Sequence, residues 1–300
     1  MLALVLGAGW VVGAQVGPLS AKAPASPVEH DAMVGETGAG QEREAAASPV
    51  GSPGGLAASA AGYTLETGTT SFAADAPQEF RFRITGPDGQ PVRRFDVEHD
   101  NRMHLIVVRR DTASFQHVHP VMDTGGTWRV PLTLADAGSY RAFADFVPAG
   151  EKGQTLGTDL AVAGQFTPAE HRYSRTAAVD GYEVELAGQL VAGSSSRLTL
   201  SVSKDGRPVT DLQPYLAAYG HLVALREGDL AYLHVHPDGA PGDGRTRPGP
   251  QIVFYAEVPS AGDYRMFLDF QHAGTVRTVA FTVAAARGAR RGATGPSHRQ

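Results

Sequence analysis

The chain has 300 residues, enough for two domains of ordinary size that each bury a core. Its formal net charge of -5 leaves no basic excess for gripping phosphates, which argues against nucleic acid as a partner. Cysteine is absent, so disulfides, thiolate metal sites, cysteine nucleophiles and lipid attachment through an N-terminal cysteine are excluded, and histidine and carboxylate must carry any chemistry.

The first charged side chain is Lys22, and the stretch from Leu2 to Val16 is mostly apolar. As a helix rising ~1.5 Å per residue, residues 1–21 would reach about 30 Å, just enough to cross a bilayer. Gly7, Gly9, Gly13 and Gln15 weaken such a helix, and Ala21-Lys22-Ala23 has the small-x-small form of a cleavage site. We therefore expect a signal peptide or a transmembrane anchor at 1–21, contacting the membrane and placing the rest of the chain outside the cytoplasm, at the cell surface or secreted. Residues 22–61 are dominated by Ala, Gly, Pro, Ser and Glu without hydrophobic periodicity, which predicts a disordered linker. A second low-complexity segment, 285–300, carries Arg287, Arg290, Arg291 and Arg299 and reads as a disordered basic tail.

Between them the chain repeats itself. Asp88-Gly89-Gln90-Pro91-Val92 returns as Asp205-Gly206-Arg207-Pro208-Val209, 117 residues on. The same offset relates His104 to His221, His117 to His234, His119 to His236 and Pro120 to Pro237. The second copy then inserts seven residues around Gly239 to Gly249, after which Tyr140-Arg141-Ala142-Phe143-Ala144-Asp145-Phe146 matches Tyr264-Arg265-Met266-Phe267-Leu268-Asp269-Phe270. Duplication of a whole domain is the natural cause, with repeat 1 over 62–168 and repeat 2 over 175–284.

Each copy reads as strands. Phe80, Phe82 and Ile84 alternate with Arg81 and Arg83, the period of a half-buried strand, and Leu198, Leu200 and Val202 do the same. Turn residues such as Pro87-Asp88-Gly89 and Lys204-Asp205-Gly206 punctuate the runs. Asp136-Ala137-Gly138-Ser139-Tyr140 and Ser260-Ala261-Gly262-Asp263-Tyr264 have the form of a tyrosine corner, with Ala142 and Met266 where a sandwich cysteine would stand. The predicted fold is all-β, two tandem immunoglobulin-like β-sandwiches.

The histidines share one pattern: His, twelve residues, then His-x-His-Pro. A hairpin at Gly228-Asp229 pairs residues whose numbers sum to 457, which sets His221 opposite His236 with His234 diagonal on the same face. The equivalent turn at Asp111-Thr112 gives a sum of 223 and sets His104 opposite His119. Opposed Cβ atoms lie ~5 Å apart and diagonal ones ~7 Å, close enough for three imidazoles to meet on one ion. Hence one three-histidine site is expected per repeat, His104, His117 and His119 in the first and His221, His234 and His236 in the second. Asp145 and Asp269 share that face and are expected to orient a ligating histidine or complete the site, or to pair with Arg141 and Arg265 instead. Phe115, Phe143, Tyr232 and Phe267 lie there too and would suit packing against a neighbouring domain. His99, Met103 and Met122 read as spectators, since Gly220 replaces Met103 in the second copy.

Donors limited to histidine and carboxylate suit copper(II) or zinc, with copper favoured by intrinsic affinity and an oxidising exterior. The segments Met103 to Asp111, Phe115 to Pro120 and Phe143 to Phe146 resemble a family of exported actinobacterial proteins whose domains look like YtkA-type and copper-resistance periplasmic sandwiches. That resemblance implies an immunoglobulin-like fold and a copper role. Three readings are open: a metal-binding module, a non-metal interaction module with buried structural histidines, and a copper-dependent redox enzyme. The last is disfavoured, because the His-Val-His strand resembles copper/zinc superoxide dismutase but the glycine loops and cysteines of that family are missing. No Gly-x-Ser-x-Gly, phosphate loop or His-Glu-x-x-His appears either.

Overall fold

The computed structural model describes residues 53–288, so the expected membrane segment, most of the linker and the end of the tail lie outside them. Both repeats belong to one compact unit. Among the described residues every regular element is a strand, and no helix is long and apolar enough to cross a membrane.

Repeat 1 is a sandwich of two sheets. One has the strand order Ser59–Ala60, Tyr63–Thr67, Pro77–Thr85, Thr127–Thr133, Val121–Met122. The other runs Ser71–Phe72, Gln154–Val162, Gly138–Pro148, His104–Arg109, Gln116–Val118, with Phe95–Asp96 paired to the end of Gly138–Pro148. Repeat 2 repeats the plan. Its outer sheet runs Thr176–Val179, Tyr182–Ala187, Ser194–Lys204, Gln251–Val258, Val235–Pro237, and its inner sheet runs Leu190–Val191, Thr275–Ala286, Gly262–His272, His221–Arg226, Tyr232–Leu233.

The outer sheets carry the alternation that the sequence advertises. In Pro77–Thr85, Phe80, Phe82 and Ile84 are buried while Arg81 and Arg83 face water. The inner sheets differ: all six residues of His104–Arg109 are buried. Odd and even residues face two cores. Leu105 and Val107 pack inside the first sandwich, whereas Ile106 and Val108 join Phe143, Val223, Leu225, Leu230 and Phe267 in a third apolar cluster between the sandwiches. The two inner sheets are thus pressed face to face, and Phe115 stacks on Phe267 with ring centroids 4.0 Å apart and planes 8° from parallel.

Both tyrosine corners are formed. Tyr140 Oη donates to the Asp136 carbonyl and Tyr264 Oη to the Ser260 carbonyl, each at 2.8 Å, and Ala142 and Met266 point into their cores. The end of the linker departs from the expected disorder. Ser59–Ala60 forms a strand, Gly55 N donates to Thr155 O at 2.8 Å, and Arg141 donates to the Gly55 carbonyl at 2.6 and 3.1 Å. Gly55 is required there: its φ is +76°, and a Cβ would run into the Phe143 ring. The last strand runs on to Ala286.

Candidate metal centre

The side-chain period of two sends the histidines to the interdomain face. His104 has the parity of Ile106 and Val108, and His221 that of Val223 and Leu225. Gln116–Val118 pairs with His104–Arg109 in the expected register, Leu105 with Val118 and Ile106 with His117. On the other side, Asp145 pairs with His104 and Asp269 with His221.

In repeat 1 the three imidazoles meet. His104 Nδ1 lies 3.1 Å from both His117 Nε2 and His119 Nε2, and the His104 and His119 ring centroids are 4.9 Å apart. Repeat 2 does not mirror this, which corrects the expectation of one site within each repeat. Its hairpin starts in the expected register, Ala224 with Leu233 and Leu225 with Tyr232. The chain then crosses to the outer sheet, where His236 pairs with Tyr255 and Val235 with Ala256. In repeat 1 the same crossing waits until Val121–Met122. The earlier crossing carries His234 and His236 away from His221. They pack on each other edge to face, centroids 4.0 Å apart, and both are exposed.

His221 instead joins the histidines of the other repeat. Its ring lies 5.6 Å from that of His104 and 7° from parallel with it, and 4.7 Å from that of His117. Ligand atoms of His104, His117 and His221 all lie within 4.8 Å of one another. The orienting carboxylate also crosses the interface. Asp269 Oδ2 is 2.9 Å from His117 Nδ1, both side chains being almost wholly buried, and Asp269 Oδ1 accepts from Thr278 Oγ1 at 2.5 Å. Asp145 accepts from Thr155 Oγ1 at 2.7 Å. Neither aspartate pairs with the arginine beside it. Arg141 bonds Asp159, its partner on the neighbouring strand, at 3.0 Å, and Arg265 donates to Thr282 Oγ1 at 3.0 Å. His99, read as a spectator, stands 6.0 Å from the His104 ring and 5.4 Å from that of His221, whereas Met103 and Met122 pack with the first core.

The outer hydrogen bonds fix where the protons sit. A carbonyl only accepts, so His104 Nε2, 3.0 Å from Glu98 O, carries the proton and Nδ1 is left with a lone pair. An ionised carboxylate also only accepts, so His117 Nδ1 donates to Asp269. The His104 Nδ1 lone pair thus faces two ring nitrogens, His117 Nε2 and His119 Nε2, each at 3.1 Å. His221 Nδ1 is buried without any partner. Burial first, then the neighbouring imidazoles, holds His104 down at about 3 and His119 at about 4, and drives His221 well below the usual histidine value. Neutral rings with inward lone pairs and outward N–H groups tied to a carbonyl and a carboxylate are what a histidine metal site requires. The donor set fits a divalent transition ion.

Fold and site together define a class: a tandem immunoglobulin-like β-sandwich whose paired inner sheets enclose a histidine triad. The chain belongs to the family described as a domain of unknown function, DUF8832, whose model matches it twice, over residues 58–163 and 177–287. No curated protein matches it by sequence. Similar solved structures include the FdeC adhesin of Escherichia coli, at 12% identity, covering 75% of this chain and 64% of that one, with a TM-score of 0.24. A Salmonella alpha-2-macroglobulin reacted with methylamine is 12% identical over 78% of this chain and 15% of its own, with a TM-score of 0.27. The Ig1-2 module of the Drosophila receptor tyrosine phosphatase DLAR is 8% identical over 76% and 99%, with a TM-score of 0.21. The chain spans less than two thirds of the first two, and at such scores nothing about its activity follows from any of them.

Proposed function

We propose that the chain is a non-enzymatic, extracytoplasmic metal-binding protein, secreted or held at the membrane by its apolar N-terminal segment, whose two repeats share one divalent ion, copper(II) or zinc. The observation that carries this reading is the convergence of His104, His117 and His221, whose ligand atoms all lie within 4.8 Å of one another, with His104 Nδ1 and His117 Nε2 3.1 Å apart and His221 Nδ1 without a partner. A divalent ion takes such converging imidazole nitrogens as neutral ligands, and three imidazoles with one more ligand suit either metal. The likeness of the histidine segments to copper-resistance sandwiches supports copper. Bound between the repeats, the ion would also tie them together.

The test is calorimetric titration of the full chain with copper(II) and, separately, zinc. One tight equivalent with a Kd below ~10 μM is expected, lost when His104 and His117 are both replaced by alanine. Absence of any histidine-dependent tight site would sink the proposal. The docked inner sheets favour one further reading, in which the histidines serve only to mate the repeats and His117, doubly protonated, donates to His104. On that reading the unfolding midpoint is indifferent to either metal, whereas an ion bound at 100 times its Kd raises stability by ~2.7 kcal/mol.

A further inference from the structure

His234 and His236 are left over when His221 turns to the other repeat, yet they are not scattered. The early crossing of Val235–Pro237 to the outer sheet sets both rings edge to face, and both line a cavity of about 370 Å³. Its walls include Glu98, His99, Asp145 and His221. His221 is therefore common to two places, the wall of this cavity and the buried triad with His104 and His117.

Asp145 gives the cavity its direction. By the repeat it is the counterpart of Asp269, and it makes the same bond to a threonine hydroxyl, Thr155 in place of Thr278. Asp269 uses its other oxygen to hold His117, whose counterpart is His234. Thus Asp145 lines the cavity that His234 borders, with Oδ1 held by Thr155 and its other oxygen open to an imidazole N–H or a cation. Glu98 adds a second acidic residue to a lining that also holds the rings of His99, His221, Tyr232, His234 and His236. Clefts of one charge sign concentrate the opposite ion and speed its arrival.

We infer that His234 and His236 form a second, surface-facing station for a divalent transition ion, completed by water and the Asp145 or Glu98 carboxylate, which loads the buried centre past His99 and His221. The loading role rests on the function proposed above, whereas the station itself does not. Two exposed imidazoles and a carboxylate bind more weakly and exchange faster than three imidazoles in a sealed interface. The pair of sites is thus graded from solvent inward.

The experiment uses copper(II) ion alone, titrated into the full chain and followed by electron paramagnetic resonance, with the filling rate read by rapid mixing. Two classes of ion are expected, one tight and one at least tenfold weaker. The double variant His234→Ala, His236→Ala keeps the tight class and loses the weak one, and fills the tight class at least tenfold more slowly. Since both rings are exposed, its unfolding midpoint should match the parent, which separates a binding effect from misfolding. A double variant with both classes intact overturns the station, and one that lacks the weak class but fills at the parental rate overturns the loading role. A parent with only the weak, His234- and His236-dependent class would leave the station standing while removing the buried centre.

Discussion

His104 and His221 occupy equivalent places in the two repeats, and their rings lie parallel within 7° at 5.6 Å across the interface. Asp100 and Ala217 are equivalent as well, and Asp100 Oδ2 accepts from Ala217 N at 2.7 Å. Contacts off this line come in exchanged pairs: Phe115 lies on Phe267, and Tyr232 lies against Phe143, 5.6 Å away. Such exchange is the mark of a self-complementary, two-fold interface. One chain thus holds the equivalent of a symmetric dimer. The symmetry fails at the histidines that follow the hairpins, where His117 is locked to Asp269 while its counterpart His234 is open to solvent.

That asymmetry makes the two aspartates unequal. Replacing Asp269 with alanine frees the His117 ring to turn and to place a proton on Nε2, so tight ion binding should weaken by about 10- to 100-fold. Asp145→Ala should leave the tight constant within about twofold. Calorimetric titration of both variants decides the point, and equal effects would contradict the assigned roles.

Acid should loosen the fold well before carboxylates protonate. His104 titrates at about 3 in the folded chain and near 6.5 unfolded, so below pH 6.5 the unfolded state binds the extra proton. Stability is therefore full above about pH 6.5 and falls as pH drops through the window down to about 3. From His104 alone the loss by pH 5 is about 2 kcal/mol, with His119 and His221 acting in the same direction. Urea unfolding of the metal-free chain at pH 7.5 and pH 5 measures it, and His104→Gln should flatten the dependence.

The interdomain cluster should couple the sandwiches. Phe267→Ala removes the ring stacked on Phe115 and opens a cavity where Ile106, Val108 and Val223 converge, at a cost of about 3 to 5 kcal/mol. Calorimetric unfolding should pass from one transition to two as the repeats lose their shared face. A single, unshifted transition would argue that the repeats unfold independently of this contact.

The tyrosine corners should cost alike. Tyr140→Phe and Tyr264→Phe each delete one 2.8 Å bond to a carbonyl four residues upstream, worth about 1 kcal/mol. Similar shifts in the two denaturation midpoints are expected, since both corners share the 2.8 Å bond to the carbonyl, although Tyr264 Oη also lies 3.4 Å from Ser260 Oγ.

Much of this was legible from local rules. The 117-residue offset, the corners at Tyr140 and Tyr264 and the hairpin registers all follow from turn chemistry and a side-chain period of two. The same period places His104, His117 and Asp145 on one face. What period two cannot tell is what covers that face. The contacts between Phe115 and Phe267, or His117 and Asp269, join residues some 150 positions apart, and an apolar face reads the same whether water, a partner or its own duplicate lies against it. His99 escaped for a related reason. Left-handed backbone at His99 and Asp100, with φ of +45° and +64°, swings its ring to the cluster, and only proximity to His104 in the sequence hinted at it. Local sequence rules are enough to specify two sandwiches and the face that bears the histidines. That the two faces meet is settled by long-range packing, in the crossing at Val235 and the mating of the inner sheets. They draw His221 into the neighbouring repeat's triad and leave His234 and His236 at the surface.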